Sequence, residues 1–319
     1  MSTNGSCGFL SSESAENHYR DDNQAFIADS LKEVRKITAV ESVRRMRGGS
    51  QAHLMRCSDG GYYVVKFQNN PQGCRILAND LLGSLLAQHL GLPVPQIAIV
   101  EVGDGLVCGT EELVIELKRG RIPCQAGLCF GSRYPVGADG RIPAVFDLLP
   151  RKELLCARNL QDFAGMLVFD KWTSNTDGRQ AVFMREPGVS SFHAMMIDQG
   201  NCFDGEAWAF RDAPLLGLYL DPSVYSECRN LGSFEPWLSR IEKEMNREFL
   251  AFAGEIIPRE WYGGDVTALN HLLDDLNARR SKVRDLLRST LATSPQAFPK
   301  ADQSVSDRGS IARRMAAGA

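Results

Sequence analysis

The chain has 319 residues, of which 44% are hydrophobic and 24% are charged, as is typical of a soluble globular protein. Its formal net charge of −3 argues against a broad basic surface, so direct binding of nucleic acid is not expected. No stretch approaches the roughly 18 consecutive apolar residues that a membrane span needs, so no membrane partner is expected either. The nine cysteines are odd in number and form no CxxC pair, which argues against a zinc site and favours reduced thiols in the cytoplasm.

The composition changes along the chain and predicts its organisation. Residues 1–25 are rich in Ser, Asn, Glu and Asp and predict a disordered leader. Residues 292–319 carry Pro, Ser, Gln and Gly without periodicity and predict a disordered tail. Between them, strand patterns dominate residues 26–150 and helical patterns dominate residues 151–291. This division predicts an α+β fold with a β-rich N-terminal lobe, a mainly helical C-terminal lobe and a cleft between the two.

The first predicted elements are strands. Val43–Met46 and Ala52–Cys57 flank a Gly-Gly pair, and both are predicted to be extended. Ser58–Gly61 then favours a tight hairpin turn. The β-branched and aromatic residues of Tyr62–Phe67 predict the next strand.

A helix is predicted to follow these strands. Leucines recur at helical spacing over Arg75–Leu90, Gly91 ends the pattern, and two prolines soon after prevent its return. Ile97–Val102 predicts a further strand. Short apolar runs alternate with Gly and Pro over Gly105–Pro150, and this pattern does not favour one kind of element.

The second part of the chain is predicted to be mainly helical. A helix is expected to begin at Asn159, as its N-cap, and to run to about Trp172 with its apolar residues near one face. A strand pair follows at Ala181–Met184 and Phe192–Ile197. Beyond Pro236 the pattern predicts two or more further helices.

A glycine-containing turn is the first candidate for a site. Gly48, Gly49 and Ser50 lie between two predicted strands. Glycines there allow backbone N–H groups to approach phosphate oxygens, as a phosphate-binding loop requires. The ordinary alternative is a simple hairpin turn.

A lysine and an acid form the second candidate. Lys66 ends a strand whose apolar neighbours predict burial, so it needs an acidic partner or a ligand. Asp80 lies on the following helix, close to its leucine face, and could pair with Lys66. The alternatives are a lysine whose stem reaches out to water and a solvated aspartate.

Two aspartates in turn-forming segments complete the set. Asp177 lies in a polar loop between an apolar helix and an apolar strand, where catalytic side chains are commonly placed, and is the candidate that orients an acceptor hydroxyl. Asp198 follows an apolar strand and precedes Gly200, and a carboxylate there suits Mg²⁺. Each could be an ordinary turn residue. The joint order of Gly loop, Lys, helical acid, Asp loop and Asp-x-Gly favours phosphoryl transfer.

From Arg47 to about Leu287 the chain resembles the HipA-like kinase domain, a protein-kinase-like family. The matching segments read RGGSQAHL, DGGYYVVKF, LANDLLGSLLAQHLGLPVP, FGSRYP, DFAGMLVFDKWTSNTDGRQAVF and MIDQGNCF. The loop DKWTSNTDGR is also similar to the catalytic loop of type II phosphatidylinositol 4-kinases.

The resemblance implies a two-lobed protein-kinase-like fold that binds ATP and Mg²⁺. Residues 26–150 would form the ATP-binding lobe and residues 151–291 the catalytic lobe. Lys66 would contact the ATP phosphates and Asp80 would hold Lys66. Asp177 would be the catalytic aspartate and Asp198 the metal-binding one. The expected partners are ATP and a protein substrate that is phosphorylated on Ser or Thr.

Two positions depart from the family pattern. Val182 stands five residues after Asp177, where such kinases carry a metal-binding Asn, and the loop is about two residues shorter. Gln180 is therefore expected to supply the second metal-binding oxygen. Asp80 replaces the usual Glu and reaches one methylene less. Two alternatives to an active protein kinase stay open, namely a nucleotide-binding pseudokinase that acts as an interaction module and a small-molecule or lipid kinase.

Overall fold

The structure is a computed structural model that describes residues 34–135 and 143–302. Its strands are β1 (Arg35–Arg45), β2 (His53–Cys57), β3 (Tyr62–Lys66), β4 (Ile97–Val102), β5 (Val114–Leu117), β6 (Gly120–Pro123), β7 (Gly127–Arg133), β8 (Ala144–Phe146), β9 (Gln180–Arg185) and β10 (His193–Ile197). Its helices are α1 (Arg75–His89), α2 (Asp104–Cys108), α3 (Arg151–Leu154), α4 (Asp162–Thr173), α5 (Trp237–Glu244), α6 (Arg247–Glu255), α7 (Val266–Arg279) and α8 (Val283–Thr293). The fold is mixed α+β, with a β-rich N-terminal region and a helical C-terminal region.

Five strands of the N-terminal region close into a barrel in the order β1-β2-β3-β7-β4. Side chains that alternate along β2 and β3 fill its interior, among them Met55, Tyr63 and Val65. Each such side chain stabilises the fold by about 1.5–3 kcal/mol relative to its exposed state. Lys66, one residue after Val65, therefore points away from the barrel interior and towards α1.

Helix α1 is a core helix. Every residue from Ile76 to Ala87 is buried, so the helix has no solvated face. Barrel strand β7 packs on it, as do α6 and the 3₁₀ turn Arg259–Tyr262. At its C-terminal end, the ring of His89 stacks on Phe249 of α6 with ring centroids 4.0 Å apart. These contacts hold α1 in place between the β-rich region and the helices that follow in the chain.

The C-terminal region is organised around α4, which is also buried. Trp172 of this helix is fully buried, and its indole N–H donates to the carbonyl oxygen of Leu276 in α7 at 2.9 Å. Beyond α4, the chain forms the antiparallel pair β9 and β10, with Gln180 opposite Ile197. This pairing returns the chain to the C-terminal end of α4, where the Asp177 loop begins. Among the described residues, no helix is both long and apolar enough to cross a membrane.

The strand predictions agree with the structure except near their boundaries and in the middle region. β1 begins at Arg35, well before the predicted Val43. Two irregularities in its pairing with β2 interrupt the alternation of buried and exposed residues by which a strand is predicted, which is why the prediction began too late. The region Gly105–Pro150 contains β7, which lies between β3 and β4 in the barrel. The sequence of β7 does not predict a strand, because it includes two glycines and because a strand that is paired on both sides has no solvated edge to mark it.

Two other expectations need correction. The N-cap of α4 is Gln161, and Asn159 instead binds β10, where its side chain donates to the carbonyl oxygen of Ala194 at 2.9 Å. The predicted start of a disordered tail at residue 292 is also too early, because Phe298 is buried against Tyr225. The leader at 1–25 and the tail beyond residue 302 lie outside the described residues.

Candidate functional site

A buried cation between two carboxylates forms the centre of the candidate site. Lys66 Nζ lies 2.7 Å from Asp80 Oδ2 and 2.9 Å from Asp198 Oδ1. The side chain of Asp80 is only 2% exposed, whereas that of Asp198 is 22% exposed. The predicted pairing of Lys66 with Asp80 is therefore confirmed in its geometry. Asp198 completes the cluster and is the carboxylate that an incoming ligand can reach.

The charges of this cluster do not balance. Burial raises the pKa of Asp80 to about 6, although Lys66 opposes the shift. Attraction by Lys66 lowers the pKa of Asp198. Burial disfavours the charged form of Lys66, but the two neighbouring carboxylates outweigh this effect and raise its pKa. One cation thus faces two carboxylates, and a second cation would neutralise the excess negative charge.

Asp80 also joins Lys66 to the loop that carries Asp198. Its Oδ2 accepts from Lys66, and its Oδ1 accepts from the backbone N–H of Gln199 at 3.0 Å. Asp198 itself has a left-handed backbone with a φ of 59°, a conformation that Asp tolerates better than most residues. Asp80 therefore positions the metal-binding candidate as well as the lysine.

The glycine turn lies at the Lys66 end of the barrel. His53, which begins β2, pairs with Val65 next to Lys66, so the turn before β2 emerges beside the end of β3. Gly48 has a φ of 122°, which L side chains rarely adopt, although space beside it is open. Nearby Ser50 is buried, while Gly49 is exposed.

Asp177 lies at the junction of two loops. Its Oδ2 accepts from the side-chain amide of Gln180 at 3.3 Å and from that of Asn201 at 3.4 Å. The backbone N–H of Thr176 donates to the Asn201 carbonyl oxygen at 3.1 Å, which ties the Asp177 loop to the chain just after Asp198. The Asp177 loop and the chain after Asp198 therefore lie side by side. Gln180 is the first residue of β9 rather than a loop residue before it.

Sequence reasoning missed the ion pair that supports both loops. Arg179 and Asp170 form a two-pronged salt bridge in which both side chains are fully buried. The same guanidinium donates to the carbonyl oxygen of Ile197 at 2.9 Å and to Gln199 Oε1 at 3.2 Å. Both residues lie within the DKWTSNTDGR segment, and their spacing alone does not show that they meet. Their position makes the pair a support for the site rather than a part that contacts substrate.

Asn201 was also missed. It directly follows the Asp-Gln-Gly sequence, and its amide is one of two that contact Asp177. An amide close to the metal-binding candidate Asp198 can offer an oxygen ligand, so the type and place of Asn201 in the chain were an available signal.

The donor set fits a magnesium ion that also has phosphate ligands. Asp198 offers a reachable carboxylate, and Gln180 and Asn201 carry amide oxygens close to Asp177. Across the described parts of the chain, no three His, Cys, Asp or Glu side chains form a group that could hold a metal ion by themselves. Mg²⁺ in proteins usually binds one or two carboxylates together with water and nucleotide phosphates.

A buried lysine holds the segment beside the Asp177 loop. Lys171 Nζ donates to the carbonyl oxygens of Ala213, Pro214 and Leu216 at 3.1, 2.8 and 2.6 Å. The chain then continues to Leu218, whose carbonyl oxygen accepts from the backbone N–H of Arg179 at 3.2 Å. Burial lowers the pKa of Lys171 from 10.5 to about 8.

This shift predicts a pH dependence of stability. As the pH rises from about 8 to 10.5, the folded protein loses the Lys171 proton while the unfolded chain keeps it. The free energy of unfolding should therefore rise by up to about 3 kcal/mol over this range, relative to Lys171→Met. Urea titrations of both proteins at pH 7 to 10.5 measure the difference. A difference that stays constant with pH would contradict the lowered pKa.

The chain is similar to known kinases. A sequence model of the HipA-like kinase family matches residues 39–207. No curated protein sequence matches the chain. Among solved structures, the chain is similar to a Helicobacter pylori proinflammatory kinase, CtkA, with 13% identity, a TM-score of 0.50 and coverage of 81% of this chain and 97% of that one. This likeness concerns the fold, which is therefore kinase-like.

Two further solved structures match less closely in shape. One is the Golgi casein kinase with Mn and ADP bound, with 10% identity, a TM-score of 0.43 and coverage of 83% of this chain and 76% of that one. The other is hydra Fam20 with sugar, with 12% identity, a TM-score of 0.43 and coverage of 81% of this chain and 86% of that one.

Proposed function

The chain belongs to the HipA-like kinase family, and we propose that it is a two-lobed kinase that transfers the γ-phosphoryl group of ATP, with Mg²⁺, to a Ser or Thr hydroxyl of a protein. The observation that carries this proposal is the buried Lys66 between Asp80 and Asp198, with the exposed Asp177 on the adjoining loop. Phosphoryl transfer needs these parts, namely a cation for the phosphates, an acid for the metal and a carboxylate for the acceptor.

The N-terminal residues would bind the nucleotide phosphates. Lys66 would contact phosphate oxygens while Asp80 keeps its ammonium group in position. The backbone N–H groups of Gly48, Gly49 and Ser50 would cover the phosphates from the barrel end beside Lys66. Each contact uses a group that the fold already holds near the reacting centre, so little ordering is needed when the nucleotide binds.

Asp198 and the amide oxygen of Gln180 would hold Mg²⁺, and the bound ion would neutralise charge on the phosphates. The exposed carboxylate of Asp177 would orient the acceptor hydroxyl and accept its proton. Its Oδ1 accepts from the backbone N–H of Gly178 at 2.8 Å, and its Oδ2 accepts from the two amides already described, so its orientation is set before substrate arrives.

One observation favours the pseudokinase alternative. Val182 lies within β9, opposite Met195, at the position where the family pattern expects a metal-binding Asn. Its side chain cannot bind a metal, so an active site would need the second oxygen from another residue, which we propose is Gln180. An active kinase would therefore use the Gln180 oxygen to bind the metal, whereas a pseudokinase would not.

Nucleotide binding and transfer distinguish these functions. We expect ATP with Mg²⁺ to raise the melting temperature and the γ-phosphate to reach the chain itself or a Ser/Thr peptide library. Stabilisation without transfer to any acceptor would favour the pseudokinase. No stabilisation by ATP with Mg²⁺ would contradict both functions.

Gln180→Ala gives a sharper test. If the amide oxygen binds Mg²⁺, transfer should fall by about 10–100-fold, because a metal ligand is lost, while Gly178 and Asn201 still donate to the Asp177 carboxylate. Gln161→Ala is a matched control, since Gln161 is exposed at the other end of α4 and makes no side-chain cap bond. Equal transfer rates in the two variants would contradict a metal-binding role for Gln180.

A cytoplasmic location is proposed on the cysteine pattern alone.

A further inference from the structure

One buried amide connects α1 to the chain that follows Asp198. The side-chain nitrogen of Asn79 donates to the carbonyl oxygens of Gly200, Cys202 and Gly205 at 2.8, 3.2 and 2.9 Å. An amide nitrogen has two hydrogens, so one of them is shared between two acceptors. Asn79 itself is fully buried and directly precedes Asp80 in the chain.

The opposite end of the same amide is also engaged. Its Oδ1 accepts from the indole N–H of Trp208 at 2.7 Å. Asn79 thus binds both the start and the end of the segment 200–208. No hydrogen-bonding atom of this side chain is left over, which makes the arrangement a complete buried polar network.

The segment held by Asn79 has an unfavourable backbone. Phe203 and Asp204 both have a φ of 61°, and Gly205 follows at 62°. Successive left-handed residues are costly for non-glycine side chains and persist only where surrounding contacts impose them. This turn lets carbonyl oxygens on both sides of it point at the Asn79 amide. The contacts with Asn79 therefore offset part of the cost of this left-handed turn.

Other contacts hold the segment 200–208 against the start of α1. The Arg75 guanidinium donates to the carbonyl oxygen of Glu206 at 3.0 Å and lies 4.6 Å from the centre of the Trp208 ring. The Glu206 carboxylate occupies the space beside Gly73, where a Cβ would lie 1.8 Å from it. Gly73 also has a φ of 102°, which L side chains rarely adopt, so this position favours glycine.

We propose that Asn79 is a positioning residue for the metal site, because it holds the segment after Asp198 against a helix that is buried along its length. It acts through Asp198 and touches neither nucleotide nor metal. α1 is enclosed on its other sides by the barrel, α6 and the 3₁₀ turn Arg259–Tyr262. The kinase site is therefore assembled by the fold itself and needs no separate ordering step. This inference rests on the proposed function.

The test measures how much Mg²⁺ strengthens ATP binding. Isothermal titration with ATP, in excess Mg²⁺ and in EDTA, gives this enhancement as a ratio of two affinities. Asn79→Leu keeps the branched shape and the number of side-chain heavy atoms but removes every hydrogen bond. We expect it to lower the enhancement by about 10–100-fold, as the loss of a residue that orients a metal ligand does. Binding in EDTA should change less, because Lys66 and Asp80 are retained.

Asn159→Leu is the matched control. Asn159 is also buried and hydrogen-bonds to backbone, but it holds Ala194 in β10 rather than the segment after Asp198. This variant should lose stability and keep the wild-type enhancement, which separates a positioning role from a general structural one. An enhancement in Asn79→Leu equal to that of wild type would overturn the inference.

Trp208→Phe provides a second, milder variant. It keeps an aromatic ring at this position but removes the indole N–H that donates to Asn79, and it should lower the enhancement in the same direction, by less. If Asn79→Leu does not fold, Trp208→Phe is used to test the inference instead. An enhancement in Trp208→Phe equal to that of wild type would then overturn it. Wild-type protein that shows no enhancement by Mg²⁺ would overturn the proposed function, and this inference with it.

Discussion

Arg179→Met should lower the free energy of unfolding by about 3–5 kcal/mol, because it leaves the Asp170 carboxylate buried without its cation. Both side chains of this pair are fully buried. Arg179 also donates to the carbonyl oxygen of Ile197, one residue before Asp198. The variant should therefore loosen the two loops of the site together. Urea titration of the purified protein measures the loss of stability directly.

Two further variants test whether this loss of stability comes from the buried ion pair. Asp170→Asn combined with Arg179→Met removes both charges, so the double variant should lose less stability than the sum of the two single ones. Arg247→Met removes an arginine from an exposed ion pair with Asp274 and should cost less than about 1 kcal/mol. A loss in Arg179→Met no larger than that in Arg247→Met would show that the buried pair does not support the loops.

Asp198→Ala and Asp177→Ala should separate binding from transfer. Asp198→Ala is expected to abolish Mg²⁺-dependent nucleotide binding, because it removes the one reachable carboxylate of the Lys66 cluster. The remaining Lys66 and Asp80 form a neutral pair, so the variant should stay folded. Asp177→Ala is expected to keep nucleotide binding and to lower transfer by about 10²–10⁴-fold, the usual contribution of a general base.

Titration of ATP with Mg²⁺ and a single-turnover transfer assay measure the two effects. Asp274→Ala serves as a control, since its carboxylate is half exposed on α7 and forms only a surface ion pair. Unchanged affinity for ATP with Mg²⁺ in Asp198→Ala would refute the metal assignment. Loss of binding in Asp177→Ala would show that this residue holds nucleotide rather than the acceptor.

The contacts of the site hold Asp198 from two directions. Asp80 reaches from α1 to the backbone N–H of Gln199, and Arg179 reaches to the backbone of Ile197 and to the side chain of Gln199. Asp198 is thus held from the barrel side and from the helical side. A carboxylate fixed in this way loses little freedom when a cation binds, which is the condition for preorganised electrostatic stabilisation.

Much of the site could be predicted from the sequence because its chemistry depends on local patterns. A strand of β-branched residues that ends in Lys66, followed by a leucine-rich helix with Asp80, placed an acid within reach of a lysine. The hairpin between Gln180 and Ile197 had to return Asp198 to the Asp177 loop, since antiparallel pairing brings strand ends together. These are short-range relations, and periodicity and turn residues specify them well.

The tertiary structure decided what the local patterns could not. Asn79 looked like one polar residue in a leucine-rich helix, and only its contact with Trp208, 129 residues away, revealed a network. The placement of β7 between β3 and β4 likewise depends on pairing between distant strands rather than on its own glycine-containing sequence. The burial of α1 on all sides, the Asp170–Arg179 pair and the packing of Phe298 are of the same kind. Each depends on groups far apart in the chain, whose meeting is set by how the elements pack and not by the residues beside them.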